Sequence, residues 1–89
     1  MATLKELGIT ANLSDAVKVD SSKCAIRVTT SASSTVTVER SIDGTNFSTI
    51  TDISWTVNES DEINLVDIIP GQFLRVRSTA TMTVCKILF

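Results

Sequence analysis

The chain has 89 residues, with eight Lys and Arg against ten Asp and Glu, a net charge of −2, and neither histidine nor tyrosine. That length fits one small domain, near the lower limit of what folds alone. The scattered basic residues do not concentrate the charge that phosphate backbones or anionic lipids require, so nucleic acid and membrane are excluded as partners.

Hydrophobic residues make up 43% of the chain, more than a core of this size needs, and surplus apolar surface points to contact with other chains. No run approaches the roughly 18 to 20 apolar residues of a membrane-spanning helix. The start, Met1 to Leu7, lacks the apolar centre of a signal peptide, so synthesis and first folding are expected in the cytoplasm.

Residues 1–14 read differently from the rest. Thr3 with Glu6 fits a helix capping box, but Gly8, Ile9 and Thr10 stop any helix after about one turn. The expectation is an N-terminal arm, extended or with one helical turn. Leu4, Leu7, Ile9 and Leu13 equip it to dock on its own domain or on a neighbour.

Residues 15–89 read as strand after strand. Ala16 to Val19 is a short first strand, and Lys23 to Thr30 follows with Cys24, Ile26 and Val28 on one face. Thr35 to Ser41 alternates through Val36 and Val38, breaks at Asp43-Gly44 and resumes at Phe47. Period-two alternation marks a half-buried strand, and Asp-Gly supplies the positive φ of a tight hairpin. Phe47 to Thr51 and a run through Ile53, Trp55 and Val57 come next, then Glu62 to Val66. Ile69-Pro70-Gly71-Gln72 suits a type II turn, because Pro presets φ and Gly accepts a positive one. Phe73 to Ser78 and Thr81 to Phe89 complete the pattern, the apolar Ile87-Leu88-Phe89 end implying a paired strand. The predicted fold is all-β, a small antiparallel β-sandwich or barrel of about seven to eight strands with an N-terminal arm. Ile26, Val28, Val36, Val38, Trp55, Leu74, Val76 and Val84 are expected to point inward.

Chemistry is sparsely supplied. Without histidine or tyrosine the usual general base and a common acid are missing, and Ser-His-Asp or Cys-His arrangements are impossible. Three glycines make no phosphate loop. No catalytic, cofactor-binding or metal-binding residue is assigned, and no enzyme activity or cofactor is expected. Glu59, Asp61 and Glu62 read as a solvated turn; the alternative is calcium binding with Asp67, without the ordered ligand spacing known for that ion. Cys24 and Cys85 read as buried, reduced packing residues, the alternative being a disulfide between an early strand and the last. Trp55 reads as core, the alternative being an exposed platform for a sugar ring. Arg75 and Arg77, joined by Arg27, form a candidate stripe on a wet face, paired with carboxylates such as Glu39 or facing a partner. Candidate interface residues are therefore Leu4, Leu7, Ile9, Arg75, Arg77 and Phe89.

Two segments carry a resemblance: Thr37-Val38-Glu39-Arg40-Ser41-Ile42-Asp43-Gly44-Thr45-Asn46-Phe47, and Pro70-Gly71-Gln72-Phe73-Leu74-Arg75-Val76-Arg77. A strand ending in Ser-x-Asp-Gly-x-x-aromatic, then an aromatic-x-Arg-Val strand, resembles small β-sandwich virion proteins of tailed phages. It resembles discoidin-like carbohydrate-binding sandwiches less closely, since their ligand-loop aromatics are missing. The resemblance implies a virion structural protein, most of all one that decorates or cements a capsid. Its partners would be copies of itself and a major capsid or other virion protein, reached through repeated contacts. The alternative is a carbohydrate-binding or adhesion module of a tail or fibre.

Overall fold

A computed structural model describes residues 2–89, and all of their side chains except those of Thr51 and Asp52. Met1, the first residue of the expected arm, lies outside the described residues. Ten strands form among them: β1 (Leu4–Glu6), β2 (Ile9–Thr10), β3 (Leu13–Ser14), β4 (Val17–Val19), β5 (Cys24–Thr30), β6 (Ser34–Ser41), β7 (Ser48–Val57), β8 (Ser60–Leu65), β9 (Gln72–Ser78) and β10 (Met82–Leu88). They build two antiparallel sheets. The four-stranded sheet runs β1-β10-β5-β8, and the six-stranded one β2-β3-β9-β6-β7, with β4 also on β9. The fold is an all-β sandwich.

The alternation read from the sequence puts one face of each sheet in the core. Ile26 and Val28 from β5 meet Val36 and Val38 from β6 and Leu74 and Val76 from β9, all essentially without solvent exposure. Trp55 is half-buried and packs against this cluster with Ile53 and Ile63. Its indole Nε1 is buried without a hydrogen-bond partner among the described residues.

Val84 departs from expectation. Met82, Cys85 and Ile87 are buried, whereas Val84 is only half-buried. A register shift between Met82 and Val84, where β10 pairs with β5, inserts a residue and reverses the facing of the residues beyond it. Two competing alternations, Met82/Val84 and Cys85/Ile87, coexist in the sequence. The bulge accommodates Met82 from the first with Cys85 and Ile87 from the second, and only Val84 loses its inward place.

The residues expected as an arm run extended and contribute to both sheets. Leu4 to Glu6 pair with Leu88 to Lys86, so the capping signal at Thr3 and Glu6 yields to strand pairing. Leu7 is buried, and its amide donates to the Cys85 carbonyl at 2.8 Å. Leu13 pairs with Arg77 and Val17 with Leu74, so β3 and β4 lie in succession along one side of β9. Between them the Ser14 hydroxyl, itself buried, accepts the Val76 amide at 2.8 Å. A side chain thus replaces a backbone acceptor where the ladder is interrupted, leaving no orphaned donor.

The turns follow their chemistry. Gly71 has φ 99°, and the Gln72 amide donates to the Ile69 carbonyl at 3.2 Å, as the Pro-Gly signal requires. The Asp43-Gly44 hairpin is wider than expected: β6 and β7 are joined by a six-residue loop, 42–47, beyond the Arg40–Ser48 pair. The runs before and after Thr51 form one strand, β7, with a register irregularity opposite the Thr37–Glu39 segment of β6.

Cys24 and Cys85 are both buried free thiols. Cys85 sits opposite Val28, four residues along β5 from Cys24, or roughly 13 Å at strand rise. A disulfide needs Cα atoms within about 7 Å, so the register forbids an intramolecular bond. Burial pushes both thiols up to about 11, eased for Cys85 by a hydrogen bond with Ser14. The expected result is that neither thiol labels in the native protein and both label on denaturation, with or without reductant. Each Cys→Ala exchange should cost about 1 kcal/mol as a small-cavity loss. A denatured chain that resists labelling until reductant is added would overturn this.

Candidate functional site

The most constructed surface feature lies on the outer face of the six-stranded sheet. Register sets Glu39 on β6 directly opposite Arg75 on β9, with Arg77 two residues on. Arg75 Nε donates to Glu39 Oε1 at 2.5 Å, and Arg77 Nε to Glu39 Oε2 at 3.1 Å. The Arg75 guanidinium also stacks over the Phe47 ring, 4.0 Å from its centre, a cation–π contact. Glu39 is thereby buried on a face that otherwise meets solvent. Burial alone would raise its pKa, but the two guanidinium groups outweigh it and hold the carboxyl below its usual value.

Beside this cluster the 42–47 loop is organised by one carboxylate. Asp43 Oδ1 accepts the amides of Asn46 and Thr45 at 2.9 and 2.8 Å and the Ser41 hydroxyl at 2.8 Å. Oδ2 accepts the Asn46 side-chain amide at 3.0 Å. The Asn46 and Thr45 backbone amides, then the Asn46 and Ser41 side chains, hold Asp43 well below the ordinary carboxylate range. Gly44, at φ 79°, brings its backbone against Phe73; a Cβ there would touch the ring at 3.4 Å. The Ser-x-Asp-Gly-x-x-aromatic signature therefore encodes a self-satisfied loop.

Both carboxylates titrate lower when folded than their unfolded values of about 3.9 for Asp and 4.3 for Glu. The stabilisation they confer is complete above that range and is lost as pH falls through the lower folded values. The urea midpoint is expected to drop on acidification from about pH 5 toward pH 2. Glu39→Gln and Asp43→Asn should each lower the midpoint at pH 7 and flatten the acid-dependent fall. An acid slope unchanged in both variants would refute this assignment.

The remaining candidate residues separate in space. Arg27 does not join Arg75 and Arg77: it lies on β5 in the other sheet, paired with Glu62 at 2.7 Å between two exposed side chains. Leu4 is exposed on β1, whereas Leu7 is buried and Ile9 and Phe89 are half-buried against the core. The six candidate interface residues thus form no single surface. Glu59 adopts φ 79° just before β8, whereas Asp61 and Glu62, expected in a solvated turn, lie within β8 opposite Val28 and Arg27; Asp61 accepts the Glu62 amide at 2.8 Å. Among the described residues no group of three or more His, Cys, Asp or Glu is placed to hold a metal ion.

The residues missed by sequence reading are aliphatic. Leu88 and Val66 are 42% and 65% exposed. They lie along two adjoining grooves of about 240 and 400 Å³ at one end of the four-stranded sheet, which share Ala25 and Leu88. A third opening of about 190 Å³, between β7 and β8, is lined by Ile50, Ile53, Leu65, Val66 and Ile68 with Asn64 and Asp67. Only the pairing of β1 with β10, and of β10 with β5, gathers Leu4, Leu88 and Ala25, which are far apart in the chain.

No family model matches the chain, and no curated protein matches it in sequence. Among solved structures it is similar to the Drosophila melanogaster CENP-C cupin domain, at 9% identity and a TM-score of 0.43, covering 99% of this chain and 56% of that one. It is also similar to the crystal structure of PirA, at 10% identity and a TM-score of 0.46, covering 99% and 82%. The chain therefore spans little more than half the length of the CENP-C structure. At these scores neither likeness bears on function.

Proposed function

We propose that this chain is a non-enzymatic virion structural protein that decorates or cements a capsid as a homo-oligomer. Its partners are its own copies and a major capsid or other virion protein. It is made in the host cytoplasm and resides on the particle. The virion setting is supported by the resemblance carried on Thr37–Phe47 and Pro70–Arg77. The observation that supports a contact-based mode is the exposed aliphatic set Leu4, Leu88 and Val66 beside the two adjoining grooves. Repetition over many subunits turns individually weak contacts into high effective affinity. The polar side chains on the outer face of the six-stranded sheet and its adjacent loop are meanwhile engaged with one another, Glu39 with two arginines and Asp43 with its own loop.

A glycan module would need an aromatic face open to solvent. The chain has one tryptophan, three phenylalanines and no tyrosine. Trp55 and Phe89 pack against the core, Phe47 lies under Arg75, and Phe73 abuts Gly44. This placement of the rings favours the structural reading over the adhesion module.

The test is to band particles from a producing culture on a density gradient and quantify this chain against the major shell protein. A fixed ratio through the particle peak is the expected result. Recovery only in the unbanded fraction would overturn the proposal.

A further inference from the structure

The outer face of the four-stranded sheet is a regular grid, because its register is known on every strand. One row across β1, β10, β5 and β8 reads Leu4, Leu88, Ala25, Asn64. The next reads Glu6, Lys86, Arg27, Glu62. The first row is apolar over three strands and open to solvent at Leu4 and Leu88, 64% and 42% exposed. The second is acid, base, base, acid, and neutralises itself, with Arg27 and Glu62 in contact at 2.7 Å. A groove of about 240 Å³ runs between the rows, lined by Leu4, Ala25, Arg27, Glu62, Lys86 and Leu88 over the Ile26 backbone strand.

Charge decides what fits here. A twofold contact presents a surface to its own copy, so a face with one sign in excess repels itself, whereas a balanced face carries no such cost. The outer face of the six-stranded sheet fails this condition among the described side chains of its paired strands: Lys18, Arg75 and Arg77 oppose a single Glu39. The four-stranded face meets it and adds an apolar row to be removed from water. Neither sign predominates there to select an acidic or a basic partner.

We propose that a second copy of this chain covers this face, the two Leu4–Leu88–Ala25 rows stacking across a twofold axis at the usual sheet-to-sheet spacing of about 10 Å. This rests on the reading of the chain as a self-associating structural protein and names the contact. It predicts a behaviour that no other occupant shares. At a self-contact, like charges introduced into the row repel, and opposite charges placed on separate copies attract.

The experiment is sedimentation velocity on the full chain at concentrations on the order of 1 to 300 μM, with circular dichroism as a check on folding. The wild-type chain should show concentration-dependent dimers. Leu88→Glu and Leu88→Lys should each weaken association at least about tenfold, and an equimolar mixture of the two should restore it. Leu4→Glu with Leu4→Lys, at the more exposed site, repeats the test should the first pair perturb folding. Ile42→Lys, in the 42–47 loop and 86% exposed, should leave the dimer unchanged. A monomeric wild-type chain, a dimer indifferent to both charges, or a mixture that stays monomeric overturns the self-contact. Any of these found alongside normal banding with particles would remove this contact and leave the virion role standing, and a monomeric wild-type chain would also remove the homo-oligomer from it.

Discussion

A chain lacking residues 1–14 is expected to lose its cooperative unfolding transition, or to keep it only with a stability lower by about 4 to 6 kcal/mol. Leu7 is 9% exposed, and burying a leucine is worth about 1.5 to 3 kcal/mol. Removing Ser14 leaves the Val76 amide without its acceptor in a buried ladder, a penalty of about 1 to 3 kcal/mol. Asn12 is lost as well; it holds the Ser78 carbonyl through its side chain and accepts the Ser78 amide. The edge of β10 covered by β1 would be opened to solvent. Domains of this size hold only about 5 to 15 kcal/mol in total. Urea denaturation followed by circular dichroism measures the difference. A truncated chain within about 1 kcal/mol of the parent would show that these strands are ornamental.

The second large effect separates two neighbours on β10. Ile87→Ala should destabilise by about 3 to 4 kcal/mol, because Ile87 is 1% exposed in the centre of the core and its loss leaves a cavity. Val84→Ala should cost less than about 1 kcal/mol, since the bulge turns that side chain away from the core. Equal losses at the two positions would mean that the bulge lies elsewhere in the strand. The contrast is read most cleanly from denaturation midpoints at a shared slope.

The fold was legible wherever the information is local. Alternation in Cys24–Val28, Val36–Val38 and Leu74–Val76 assigns facing residue by residue, because a strand can bury one side only by placing apolar residues at every second position. Pro70-Gly71 and Asp43-Gly44 mark turns for an equally local reason, the backbone angles those residues tolerate. Short elements are less visible. Strands of two or three residues, such as β2 and β3, contain too few positions to show a period. Leu4–Glu6 becomes a strand only because β10 offers an edge to pair with.

The candidate surface was legible in part. Arg75 and Arg77 share a face by parity, and their pairing with Glu39 follows once β6 and β9 are neighbours. Arg27 shares the same local pattern, yet it belongs to the other sheet, because alternation gives facing within a strand and is silent on which sheet the strand joins. The apolar Leu88 marks a paired strand, but its grouping with Ala25 is invisible for the same reason: each is an ordinary outward residue until register sets them beside Leu4.

By itself, then, the sequence determined the all-β class, most of the core, the turn chemistry and the lack of histidine-based catalysis, since each depends on residue type and short spacing. Tertiary structure alone decided the division into four- and six-stranded sheets, the outward turn of Val84 and the separation of Cys24 from Cys85. It also decided the gathering of Leu4, Leu88 and Ala25 into one row. Those outcomes depend on which strands pair and in what register, and pairing is settled by the joint burial of two sheets rather than by any one segment.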